Sequence, residues 1–227
     1  MLRQARPRGV LARGVATTVK GPSVAKNRKP AAEVFLNVPY DEKFERLFVA
    51  YIAGISAFGL VPRATLEIRT SSRRLEKIGR LISKCRYSLH DLSRVELDAH
   101  APRTPRFNMP FELGLAVARQ QNAGVGKHNW FVCESKQLRL LKSLSDLNGT
   151  DPYIHGGTIA GVFRELCNIF VRTDRQPTVQ QMFRIYREMR RNLSHILRQA
   201  GADSSYTARV FKDLSILASV CAERFVE

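Results

Sequence analysis

Asn108-Met109-Pro110-Phe111-Glu112-Leu113-Gly114 places a carboxamide and a carboxylate four residues apart at the start of a helical pattern. Glu112 lies in the first turns of that helix. Phe111, Leu113 and Leu115 surround Glu112 with apolar side chains. A carboxylate in such surroundings costs free energy unless something satisfies it, and helix N-terminal amides help to keep it ionised. Gly114 leaves the helix surface open to close approach by a ligand or a strand. On spacing alone, Asn108 is equally the N-cap of that helix and Glu112 an ordinary first-turn acid. The other chemistry-bearing patterns are missing. There is no GxGxxG, P-loop, GxSxG or HExxH motif. The five His (90, 100, 128, 155, 195) are scattered with no i,i+4 pair, so no metal site is expected. Cys85, Cys133, Cys167 and Cys221 are widely spaced in apolar contexts, as expected of buried, reduced thiols in a cytoplasmic protein.

The elements that must position Glu112 follow from hydrophobic period and punctuation. Glu33–Val38 reads as a strand, ended by Pro39. Asp41 is a plausible N-cap for a helix running to about Phe58, with Phe44, Leu47, Phe48, Tyr51, Ile52 and Ile55 at helical spacing. Leu60–Leu66 is a second strand. Thr70–Ser72 caps a helix in which Leu75, Ile78, Leu81 and Ile82 share a face. Arg86–Leu92 is a third strand, residues 93–106 a polar loop, and Asn108 to about Gln121 the helix that carries Glu112. Trp130–Cys133 is a fourth strand, Gln137–Leu144 a helix, Asp151–Ile154 a weak fifth strand, and Thr158 caps a helix to about Val171. This alternation predicts an α/β fold: a doubly wound parallel sheet, flavodoxin-like, of about five strands. Ligands in such sheets bind beyond the carboxyl ends of the strands at the switch in strand order. That order sets residues 37–41 beside residues 90–94.

Pro177 then punctuates. Thr178 starts a long helix with Met182, Ile185, Met189, Leu193 and Ile196 on one face, and Gly201 ends it. Ser204 or Ser205 begins a last helix with Val210, Leu214, Leu217, Val220 and Cys221 inward. Residues 176–227 are thus a C-terminal helical hairpin whose apolar seam packs on the α/β domain or on a second subunit. The long helix also carries Arg184, Arg187, Arg190, Arg191 and Arg198, a face suited to a phosphate backbone or simply to solvent. With 37 Lys+Arg against 20 Asp+Glu, the chain bears +17. Eight of those basic residues and no acid lie in residues 1–32, which read as a disordered basic tail, a candidate for weak nucleic-acid contact. No run of about 18 apolar residues is present, so no membrane partner is expected.

Three motifs in order resemble known families. Asn108-x-x-x-Glu112-x-Gly114 looks like the signature of bacterial TIR-like nucleotide-binding domains, and Glu112-x-Gly114-x-Ala116 is similar to the core of nucleoside 2-deoxyribosyltransferases. Val34-Phe35-Leu36-Asn37-Val38-Pro39 resembles the first strand and loop of both groups. Ser88-Leu89-His90-Asp91-Leu92-Ser93 resembles their third strand, which ends in an Asp near the ligand. The stretch as a whole resembles uncharacterised bacterial proteins that carry FLNVPYD, HDLSR and RFNMPFELG. The likeness covers roughly residues 33–171.

The resemblance implies that Glu112 is catalytic and meets the ribose of a nucleoside or of NAD, as nucleophile or as the carboxylate that stabilises an oxocarbenium-like transition state. Breaking an N-glycosidic bond builds positive charge at the anomeric carbon, which a facing carboxylate stabilises. It further implies ligand-binding roles for Asn37, Tyr40, Asp91, Arg94, Asn108 and Gly114. Tyr40 would stack on a base, Asp91 would hold ribose hydroxyls, and Arg94 or Arg63 would meet a phosphate. Asp91 as a strand-end cap and Tyr40 as a core aromatic with a polar tip are the plain alternatives. NAD or a nucleotide enters as substrate or ligand, not as a resident cofactor. A setting in bacterial defence or stress signalling, and self-association through residues 176–227, also follow from the TIR-like likeness. Two further readings stand beside it: a nucleotide sensor without turnover, and a nucleic-acid binder acting through the basic tail and the arginine-bearing helix.

Overall fold

The computed structural model describes residues 30–68, 73–94, 106–124, 126–147 and 149–226. Five parallel strands form one sheet in the order β2-β1-β3-β4-β5. They are β1 (Glu33–Asn37), β2 (Val61–Arg63), β3 (Tyr87–Asp91), β4 (Asn129–Glu134) and β5 (Tyr153–Ile154). The connecting helices are α1 (Glu45–Ala57), α2 (Arg74–Lys84), α3 (Asn108–Ala123) and α4 (Arg139–Ser143), followed by α5 (Ile159–Ile169). The expected flavodoxin-like α/β architecture is therefore present. The basic tail and the Thr70–Ser72 cap fall largely or wholly outside the described residues, as does most of the loop expected over residues 93–106.

Strand alternation sorts the core into two layers. Val34, Leu36 and Leu89 face α1 and α5, whereas Phe35 faces α2 and α3 with Ile78, Leu81, Ile82 and Ala116. Leu92, Val132 and Leu140 join Met109 and Leu113 beneath α3 and α4. Helix α1 is apolar on every side, and all its residues from Leu47 to Ala57 are buried. A helix with no polar face needs cover all round. The sheet and α5 supply part of it. The hairpin supplies the rest: α6 (Val179–Ala200) and α7 (Ala208–Phe225) pack on the outer side of α1. Of the two destinations expected for the hairpin seam, the structure uses the α/β domain. Residues 31–227 form one compact unit, hairpin included.

Several boundaries differ from expectation. Strand β2 stops at Arg63, because Thr65–Glu67 turns as a 3-10 helix whose Glu67 carboxylate accepts the Ala64 amide at 2.9 Å. The helix expected from Asp41 opens instead with a separate 3-10 turn, Glu42–Phe44, which Asp41 caps. The last helix begins after Thr207, whose hydroxyl takes the Val210 amide, rather than at Ser204 or Ser205. Leu75 and Val220 face solvent, 52% and 58% exposed, and not the core.

Two glycines respond to substitution in opposite directions. A Cβ on Gly161 would lie 1.9 Å from the His155 carbonyl oxygen, whereas a Cβ on Gly114 meets nothing within 4 Å. Gly161→Ala is expected to destabilise the fold by about 1–3 kcal/mol through backbone overlap. Gly114→Ala, an exposed mid-helix site, is expected to stabilise it by roughly 0.5–1 kcal/mol. Urea unfolding of the two variants checks both signs.

Candidate functional site

Chain order reverses in the sheet at β1 and β3, and the general rule for such sheets sets the ligand crevice at the carboxyl ends of these strands. Asn37 closes β1 and pairs in register with His90. It is 4% exposed. Its amide nitrogen lies 2.9 Å from the Met109 carbonyl and 2.9 Å from His90 Nδ1. A flipped amide would set oxygen against the Met109 carbonyl, so Nδ2 is the donor to both. Asn37 thereby ties two strands to the first turn of α3, one turn before Glu112. Its Oδ1 has no partner among the described residues. His90 accepts at Nδ1, and burial pushes its pKa down to about 3, with His128 adding to the fall. The ring is neutral with its proton on Nε2, a buried atom that has no partner among the described residues.

Glu112 is 9% exposed. Among the described residues it makes no hydrogen bond and no ion pair. Burial pushes its pKa from the ordinary 4.5 up to about 7, against the opposing pull of Arg74. Tyr40 is within electrostatic reach, since the Glu112 charge helps to raise the phenol, although burial is the larger cause. Arg74 is the first residue of α2, and Arg73 before it takes φ +65, a left-handed turn that brings the chain into the helix. A buried carboxylate, a phenol and a guanidinium thus influence one another electrostatically near the ends of β1 and β3.

The remaining expected residues are placed as follows. The Tyr40 hydroxyl lies 3.1 Å from Thr65 Oγ1, and its ring packs edge-on against Phe48 and tilted against Tyr206, as a core aromatic with a polar tip. Asp91 is 1% exposed, and its carboxylate accepts the Tyr51 hydroxyl at 2.7 Å and the Ser93 amide at 2.9 Å. His155 Nε2 lies 3.0 Å from it as well. Arg94 and Arg106 both donate to Asp41 Oδ2 at 2.9 Å. Arg63 is paired with Glu33 and Glu67. Asn108 is exposed and makes no hydrogen bond among the described residues, and the N-cap is Phe107. Gly114 lies about 200° around α3 from Glu112, at about 100° per residue, on an open surface. The structure therefore gathers Glu112, Asn37 and Tyr40, with Asn108 at the helix mouth. Asp91, Arg94 and Arg63 are engaged by protein partners, and Gly114 points away.

Comparison with known protein families, with curated proteins and with solved structures finds no match to this chain.

Sequence reasoning missed Arg74, which is one of several arginines around the start of α2 and carries no distinguishing local signal. It also did not foresee that Ser93, His155 and Asp91 meet. The Ser93 hydroxyl and the Asp91 carboxylate both approach Nε2 at 3.0 Å, while Nδ1 accepts the Gly157 amide at 3.0 Å. A hydrolytic triad needs the acid on one ring nitrogen and the nucleophile on the other, so this cluster fastens β3 to the turn before α5. A further buried acid, Glu134 at the end of β4, is held by Arg139, whose Nε donates at 2.8 Å. Among the described residues no group of three or more His, Cys, Asp or Glu is placed to hold a metal, and no helix is long and apolar enough to cross a membrane.

The raised Glu112 pKa has a stability consequence. Folded Glu112 holds its proton more tightly than unfolded Glu112, so the fold loses stability as pH rises from 4.5 to about 7. Glu112→Gln lacks this loss. Its advantage over wild type is expected to grow across that window and then level off at no more than roughly 3 kcal/mol. Denaturant unfolding at a series of pH values checks this, and a gap that does not change with pH would contradict it.

Proposed function

We propose that the chain binds NAD or a nucleotide in the crevice above β1 and β3 and cleaves its N-glycosidic bond with Glu112 as the essential carboxylate. The observation that carries this reading is the state of Glu112: almost fully buried, at the switch point of the sheet, with no hydrogen-bond or ion-pair partner among the described residues. Burial of an unsatisfied carboxylate is unfavourable, and natural folds keep such groups where a ligand completes them. The partners it lacks are donors. Ribose hydroxyls supply donors to Glu112 and to Asn37 Oδ1, and Arg74 supplies a cation for a phosphate. The TIR-like and deoxyribosyltransferase-like likeness of residues 33–171 points to the same ligand class.

In the cleavage step the bond between the base nitrogen and C1′ breaks, and its electron pair leaves with the base. The positive charge that develops on C1′ and the ring oxygen faces the Glu112 carboxylate. Water then adds to C1′ and loses a proton. Only ionised Glu112 stabilises that charge, so the rate should rise with pH through the Glu112 titration at about 7. Asn37 acts as a positioning residue, holding the first turn of α3 against β1 and β3.

Chromatography of purified protein with NAD and with nucleosides tests this. Wild type is expected to release nicotinamide or free base. Glu112→Ala and Glu112→Gln are expected to lose about 100-fold or more, the scale of removing one key electrostatic stabiliser. If neither protein turns anything over, but a nucleotide raises the Tm of wild type and not of Glu112→Ala, the protein is a sensor in which Glu112 reads ribose hydroxyls.

A further inference from the structure

A second site lies on the hairpin. Arg184, Arg187, Glu188 and Arg191 from α6 meet Arg224 and Phe225 from the end of α7 around an open groove of about 360 Å³. Four guanidinium groups share it with one carboxylate. Arg191 is bonded to Glu188 at 2.5 Å. The other three have no carboxylate partner among the described residues. Several arginines elsewhere are paired with acids, as in Arg80–Glu76, Arg94–Asp41, Arg190–Glu45 and Arg209–Asp213.

Phe225 organises the cluster. The Arg184 guanidinium sits 4.5 Å from its ring centroid and that of Arg224 5.4 Å, so one aromatic ring holds two cations together. Arg187 Nε is fixed on the Phe183 carbonyl at 3.3 Å. Like charges gathered at this density repel, and an anion relieves the repulsion. From Arg184 to Arg191 the stripe extends about 10 Å along α6, at roughly 1.5 Å per residue. That is longer than one phosphate, and guanidinium groups suit phosphate oxygens.

We propose that this groove binds a chain of phosphates, as presented by the backbone of a nucleic-acid strand. The crevice at Glu112 is not involved. Free tripolyphosphate shares the chemistry, so the test separates the two sources.

The experiment uses the full chain and a fluorescein-labelled single-stranded DNA oligonucleotide, read by anisotropy between about 50 and 200 mM salt. Basic residues 1–32 remain in every protein, so differences between variants report the groove. Arg187→Ala/Arg224→Ala is expected to weaken binding about tenfold and to reduce the salt slope by roughly 1.4, at about 0.7 per lost phosphate contact on a single strand. Arg187→Lys/Arg224→Lys should keep most of the slope. Both side chains are exposed, and an unchanged Tm confirms that the variants fold. If tripolyphosphate displaces the oligonucleotide at equal phosphate concentration, the groove takes a compact phosphate chain. If it does not, the groove takes a strand. Equal affinity and equal slope for wild type and the alanine variant would overturn the proposal.

Discussion

Helix α1 sets the architecture. From Leu47 to Ala57 every residue of it is buried, so the sheet alone cannot stabilise it. A sheet covers one side of a helix, and α5 covers a flank. The remaining side would expose a row of large apolar groups unless something lies over it. The hairpin α6–α7 does so, contributing Met182, Ile185, Met189, Phe211 and Leu214 to the same core. The result is an additional helical layer outside the usual three. The extra layer also reaches the crevice: Tyr206 at the entry to α7 packs on Tyr40 and donates its hydroxyl to the Asp41 carbonyl at 2.7 Å. The same α1 contributes Tyr51 to the carboxylate of Asp91. Burial of one helix thus links the hairpin, the sheet and the edge of the site.

Two carboxylates close to the same strand ends behave in opposite ways, and the difference is environment. Asp91 is the more buried of the two, yet it receives a phenol, a backbone amide and an imidazole. Those donors replace the water it lost. Glu112 is 9% exposed and has no such donor among the described residues. The charge of Arg74 only partly offsets burial. Paired carboxyl groups with diverging environments mark a division of labour. Here one acid is built into the structure, and the other has no hydrogen-bond or ion-pair partner among the described residues. The likeness to nucleotide-handling families had favoured ligand roles for both, and geometry separates them.

The fold was legible because its signals are local. The α6 boundaries rest on Thr178, which shares a capping box with Gln181, and on Gly201 in the left-handed region at φ 59. Thr158 caps α5 in the same way. Errors arose where several caps competed or where a side chain reached back. Ser204, Ser205 and Thr207 are all able to cap, and only the packing of α7 against α1 selects Thr207. Glu67 ends β2 by folding onto Ala64, a three-residue device invisible in hydropathy. At the site, Glu112 and Asn37 stood out by motif, but their roles did not. Nothing local says that Asn37 donates to a carbonyl 72 positions away. Arg94 and Arg63 read as free cations because their acidic partners are distant in sequence or arrive by a turn. The direction of Gly114 was accessible by helix arithmetic, since two residues from Glu112 lies on the other side of α3.

Asp41 joins three segments near the ends of β1 and β3. Its Oδ1 caps the 3-10 turn through the Phe44 amide, while Oδ2 accepts both Arg94, just after β3, and Arg106, just before α3. The two ends of the β3–α3 connection are therefore drawn to one carboxylate beside the crevice. Partly exposed ion pairs contribute little to stability each, so this cluster is weak evidence for rigidity on energetic grounds. Its value is positional: three charges fix where the connection leaves the sheet and where α3 begins. Asn37 then fixes the first turn of α3 from below. Between these two anchors the first turns of α3 are held against β1 and β3, and Glu112 sits in them at 9% exposure.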